Sequence, residues 1–122
     1  MKIKKILVVD DSPTDRYLLA DILKKKGFEV ETAEDGDVAL NKIRLFEPHL
    51  ILMDIVMPGK NGFQITRQIA RDPDLNHIPV MICSIKAQET DRIWALSQGA
   101  RDYIVKPVNA DDLVAKIGAI AG

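Results

Sequence analysis

Short apolar runs recur along the chain, and most end on a polar or charged residue. Ile6-Leu7-Val8-Val9, Leu50-Ile51-Leu52-Met53 and Val80-Met81-Ile82-Cys83 are uninterrupted. Runs of this kind read as strands buried on both faces, as in the middle of a parallel sheet. Phe28, Val30 and Thr32 alternate with Glu29 and Glu31, which predicts a strand with one polar side, at a sheet edge. The predicted strands cover 5–10, 28–33, 50–54, 78–84 and 103–105.

Between them the period changes to that of a helix. Ser12-Pro13 opens the first, with Ser as N-cap, Pro in the first turn and Asp15 three residues after the cap. Its apolar stripe is Leu18, Leu19, Ile22 and Leu23, and Lys24-Lys25-Lys26-Gly27 ends it. The second helix, over 35–46, carries Val38, Leu40, Ile43 and Phe46 and is broken by Pro48. Phe63, Ile65, Ile69 and Ala70 mark a third that stops before Pro73. The fourth covers 88–98 and stops at Gly99; Asn109 caps the fifth, with Leu113, Ile117 and Ile120 inward.

Strands alternating with helices predict an α/β fold with a parallel sheet and right-handed crossovers. One such layout is the flavodoxin-like strand order 2-1-3-4-5. Open sheets of this class place their ligands at the C-terminal ends of the strands. In this chain those ends carry Asp10 and Asp11, Asp54, Ser84 and Lys106.

Composition narrows the function. At 122 residues the chain reads as one domain, 1–122, with no output domain, and 47% hydrophobic content supports a packed core. A net charge of -1 gives no basic field for nucleic acid, and Lys2, Lys4 and Lys5 read as a solvated approach to the first strand. The single cysteine, Cys83, sits in an apolar run and reads as a small buried hydrophobe. With no signal peptide or membrane-spanning run, no membrane insertion is expected and the cytoplasm is the default location.

Three carboxylates converging at strand ends repel one another unless a cation joins them. Hard oxygen donors without a His or Cys cluster suit Mg²⁺, with Mn²⁺ as a substitute. Such a site suits a phosphoryl group: one carboxylate attacks it, Ser84 donates a hydrogen bond, and Lys106 adds positive charge at the rim. Asp54 is the expected nucleophile because it ends the central strand, and Asp10 and Asp11 are better placed for metal.

The motifs Val-Asp-Asp-Ser (9–12), Leu-Met-Asp-Ile-Val-Met-Pro-Gly-Lys-Asn-Gly (52–62), Pro-Val-Met-Ile-Cys-Ser (79–84) and Gly-Ala-Arg-Asp-Tyr-Ile-Val-Lys-Pro (99–107) resemble the receiver domains of two-component response regulators, with the CheY-like (βα)5 fold. The resemblance covers essentially the whole chain. It implies a signalling protein rather than an enzyme with a free substrate. It implies Asp54 as phosphoacceptor, Asp11 and Asp54 as direct Mg²⁺ ligands, Asp10 acting partly through water, and the Val56 backbone carbonyl as a further ligand. Ser84 and Lys106 are implied phosphoryl contacts, Tyr103 a switch aromatic that turns inward behind Ser84, and Lys106-Pro107 a cis peptide. The implied partners are a histidine kinase or phosphotransfer protein as donor, and a protein target reached through the fourth helix, fifth strand and fifth helix. The protein is expected as a monomer or a weak, phosphorylation-dependent dimer. Residues 58–64 and 88–94 look more narrowly like the PilH-type regulators of twitching motility. Trp94 reads equally as a partner contact or as packing against the sheet.

Two positions depart from the family's habit. The residue after the hydroxyl is usually small but here is Ile85, and the residue two after the phosphoacceptor, often polar, is Val56. Both are expected to flank the path of an attacking water and tune dephosphorylation; Ile85 could also hinder phosphoryl entry. His49 and His77 precede strands three and four, about 17 Å from Asp54 by strand length, and read as loop residues. Competing readings are a flavin carrier, disfavoured by Asp10 and Asp11 against a phosphate, a phosphohydrolase with no cap to select substrate, a phosphate sink or relay, and a receiver-like scaffold that takes no phosphate.

Overall fold

The computed structural model describes residues 2–122. Its strands are β1 (Lys5–Val9), β2 (Glu29–Ala33), β3 (Leu50–Met53), β4 (Val80–Ser84) and β5 (Asp102–Val105). Its helices are α1 (Pro13–Lys25), α2 (Gly36–Phe46), α3 (Gly62–Arg71), α4 (Glu89–Ser97) and α5 (Ala110–Ala121). The sheet is parallel in the order β2-β1-β3-β4-β5, the flavodoxin-like arrangement, with alternating β2 on an edge as its pattern predicts.

Period-two alternation sorts each strand between two cores. Leu7, Val9, Ile51, Met53, Val80, Ile82 and Tyr103 pack with Ala39 and Ile43 of α2, Ile65 and Ile69 of α3, and Ala95 of α4. Ile6, Val8, Leu50, Leu52, Met81, Cys83 and Ile104 pack with Leu19 and Leu23 of α1 and Leu113 and Ile117 of α5. Cys83 is thus a core residue, and burial pushes its thiol up to about 12.

Helix starts follow their caps. Ser12, Asp35, Asn61 and Asn109 each accept a hydrogen bond from the backbone two or three residues into the helix. Two apolar positions of the predicted stripes are left exposed. Leu18 is exposed, because the buried face of α1 is Leu19, Ala20 and Leu23, rotated about one residue from the predicted one. Ala70 is exposed, while α3 buries Ile65, Thr66 and Ile69. Thr66 is accommodated in the core because its hydroxyl donates to the Gly62 carbonyl at 2.7 Å.

Strands β1 and β3 each end one residue before their acid. The Asp10 N–H still bonds Ala33 and the Asp54 N–H bonds Val9. Their carboxylates turn away: Asp10 accepts from Ser12 N–H at 3.0 Å and Asp54 from Ile55 N–H at 2.8 Å. Both side chains are therefore fixed just past the strand ends. Strand β4 starts later than predicted, at Val80 after Pro79, which has no N–H to give a ladder.

Candidate functional site

The ends of β1, β3, β4 and β5 come together as the register requires. Asp10, Asp11 and Asp54 each offer a carboxylate oxygen within 4.8 Å of the others. Asp10 and Asp54 are buried and Asp11 is exposed. Ser84 closes β4 fully buried, and its carbonyl accepts from Lys106 N–H at 2.9 Å. The Lys106-Pro107 peptide is cis.

Lys106 is not at the rim. Its side chain is only 10% exposed, because the ammonium reaches inward to Asp10 at 2.7 Å and Asp15 at 3.0 Å, with Asp54 at 3.6 Å. One cation thus faces three carboxylates. Burial alone would push this lysine's pKa down, but the hydrogen bonds it donates to Asp10 and Asp15 and the nearby negative charge outweigh it and hold the ammonium protonated.

Asp15 is the functional candidate that the sequence pattern does not expose. Its acid is consistent with a helix start, and its N–H bonds Ser12 Oγ at 3.2 Å. Nothing local marks its carboxylate as a partner of a lysine 91 residues away. The adjacent Arg16 donates to the Asp10 carbonyl at 2.8 Å and ties the same turn to the site.

Asp54 is raised from 3.8 to about 6, first by burial and then by the charge of Asp10; Lys106 and the Ile55 N–H pull the other way, and Asp11 adds to the rise. The native state therefore holds this proton more tightly than the unfolded chain. Between the two values the native state binds more protons, so stability falls as pH rises through that window. In chelator, wild type should lose on the order of 1–3 kcal/mol relative to Asp54→Asn between about pH 4 and about pH 7.5. Urea titrations of both proteins across this range check it, and parallel profiles would contradict it.

Tyr103 is buried, and its hydroxyl donates to the Lys86 carbonyl at 2.8 Å. The Lys86 N–H donates to Ser84 Oγ at 3.3 Å. One residue thus links the hydroxyl at the site to the aromatic ring, which already points inward here. Burial, ahead of other influences, raises the tyrosine's pKa. Val56 and Ile85 stand 57% and 74% exposed, next to Ile55 and Ser84 respectively.

Other singled-out residues lie elsewhere. His49 lies just before β3, where its Nδ1 accepts the N–H groups of Lys4 and Lys5 at 2.9 and 3.1 Å. With His77 it lines a groove beside Lys5, Pro48 and Ile78. Trp94 is half-exposed on α4 and meets Phe63 of α3 edge-on at 6.5 Å. No helix among the described residues is long and apolar enough to cross a membrane.

Known proteins share this arrangement. The sequence pattern of the response regulator receiver domain matches residues 6–118. The chain is 49% identical over 116 residues to protein PilH of Pseudomonas aeruginosa, covering 95% of this chain and 96% of PilH. It is 38% identical over 117 residues to the phosphate regulon transcriptional regulatory protein PhoB of Escherichia coli, covering 96% of this chain but 51% of PhoB. The chemotaxis protein CheY4 of Vibrio cholerae superposes with a TM-score of 0.90 at 28% identity, over 98% of this chain and 99% of that one. A putative response regulator from Chloroflexus aurantiacus gives 0.92 at 28% identity, over 98% of each chain. With its five-stranded parallel sheet and its clustered acids, the chain belongs to the response regulator receiver domain family of two-component signalling systems.

Proposed function

We propose that the protein accepts a phosphoryl group on Asp54 from a partner histidine kinase or phosphotransfer protein and signals through its α4-β5-α5 face. The observation that carries this reading is the largely buried ammonium of Lys106 set among Asp10, Asp15 and Asp54, with the exposed carboxylate of Asp11 beside them. A carboxylate oxygen of Asp54 bonds to phosphorus as the bond from phosphorus to the donor breaks, and that electron pair leaves with the donor's imidazole or carboxylate. Lys106 and Ser84 contact the transferred oxygens. Asp10, Asp11 and Asp54 cluster their oxygens, and with the Val56 carbonyl that the family resemblance adds they would make an all-oxygen donor set for Mg²⁺, which when bound would offset the negative charge of acids and phosphoryl group together.

Movement of Ser84 toward the phosphoryl group would release the Lys86 N–H, and Tyr103, bonded to the same residue, would keep its inward place. The face this reshapes carries exposed Ile93, Trp94 and Val105, apolar positions suited to a protein target. A target in pilus-based motility is the reading that the resemblance of residues 58–64 and 88–94 to the PilH-type regulators of twitching motility implies.

Incubation with acetyl phosphate and Mg²⁺ should add one phosphoryl group, read by intact mass, that is absent in Asp54→Ala and in chelator. A wild-type protein that gains nothing even from a histidine kinase would overturn the reading. The apolar side chains of Val56 and Ile85 can orient no attacking water, so the acyl phosphate should decay slowly. Val56→Asn with Ile85→Ala should speed decay about fivefold, the equivalent of one hydrogen bond of about 1 kcal/mol. Unchanged decay in that double variant would contradict this role.

A further inference from the structure

The Lys106 ammonium has three N–H groups to give. One goes to Asp10 at 2.7 Å and one to Asp15 at 3.0 Å, while Asp54 stands beyond bonding distance at 3.6 Å. The two bonded acids differ in kind. Asp10 belongs to the trio whose oxygens can share one metal ion, and Asp15 does not. A cation held by the trio would compete with Lys106 for Asp10 but leave the Asp15 bond in place. Asp15 is also held where it is. Its N–H is capped by Ser12, and the neighbouring Arg16 is bonded to the Asp10 carbonyl, so the first turn of α1 aims this carboxylate at the ammonium.

We infer that Asp15 is a positioning residue that restrains Lys106: its carboxylate competes with a phosphoryl group on Asp54 for the ammonium and so weakens the phosphorylated state. This rests on the phosphoacceptor reading of Asp54. A phosphoryl group brings close to two negative charges and three acceptor oxygens to the site. Drawing the ammonium closer to Asp54 than its present 3.6 Å pulls it from Asp15, and the acid left behind is then less well paired and stands near the new charge. At 39% exposure the Asp15 side chain is partly screened by water, which keeps the effect moderate.

The test is calorimetric titration with beryllium fluoride, a tetrahedral phosphoryl mimic, at saturating Mg²⁺. Asp15→Asn keeps the size and the backbone cap but removes the charge. It should bind the mimic about three- to fivefold tighter than wild type. In a Lys106→Met background the same substitution should give a clearly smaller gain, because the competition has lost its object. A purely structural role for Asp15 would lower stability and leave affinity unchanged or weaker, which would overturn the inference. An equal gain in both backgrounds would also overturn it, since removal of charge alone would then suffice. Where Lys106→Met binds too weakly to measure, a single-variant affinity no tighter than wild type still overturns the inference. Wild type that binds no mimic with Mg²⁺ present would instead overturn the reading of Asp54, and this inference with it.

Discussion

Gly62→Ala should destabilise the protein by about 3 kcal/mol or more, at the upper end of the range for overpacking. A Cβ at this position would stand 2.8 Å from the Asp54 carbonyl carbon and 3.0 Å from Ile55 Cα, and would overlap the Asp54 carbonyl oxygen. These are backbone atoms, so no rotamer change relieves the clash. The Gly62 N–H also donates to the Ile55 carbonyl at 2.8 Å, which clamps the start of α3 onto the loop behind Asp54. Moving α3 away must therefore break that bond and shift Asp54. Gly118→Ala in α5 is the control: nothing lies within 4 Å of its Cβ, so it should be neutral or gain up to about 1 kcal/mol. Urea unfolding of the two variants beside wild type checks the contrast, and equal stability would contradict the packing described.

Lys106→Met should cost about 3 kcal/mol in chelator at neutral pH, because it leaves Asp10, 1% exposed, and Asp54 without their cation. The loss is that of a buried charge stripped of its partner, and not the net value of an ion pair. Mg²⁺ should restore part of it by supplying charge to the same carboxylates. The exposed pair between Lys25 and Asp21 is the contrast, since Lys25→Met should leave stability essentially unchanged. Denaturant midpoints with and without Mg²⁺ measure both. A Lys106→Met protein as stable as wild type would mean that the carboxylates are not held by this ammonium.

The fold was legible because the apolar runs, caps and breaks agree at every level. Ile6 to Val9 and Leu50 to Met53 are apolar at every position because both faces of a central strand are covered, and their acids follow at the end where the helices begin. The trio of Asp10, Asp11 and Asp54 could be read from strand ends alone. Side-chain reach could not. Lys106 looked like a rim residue because nothing in its neighbourhood of sequence shows that Asp15 would draw it inward. Leu18 and Ala70 show the limit of helical periodicity: one residue turns a helix by about 100°, so a stripe read one position off exposes an apolar side chain. Trp94 was ambiguous for another reason, as its contact is with Phe63 on a neighbouring helix, a pairing set by how α3 and α4 sit together.

The central claim is that Asp54 is the residue that takes the phosphoryl group. Borohydride reduction of the protein after treatment with acetyl phosphate and Mg²⁺ tests it most directly, because an aspartyl phosphate is reduced to homoserine while a free carboxylate is not. Peptide mass spectrometry should then place homoserine at position 54, with aspartate unchanged at 10, 11 and 15. Homoserine at one of those three positions, or none anywhere in a protein that has gained a phosphoryl group, would contradict the account.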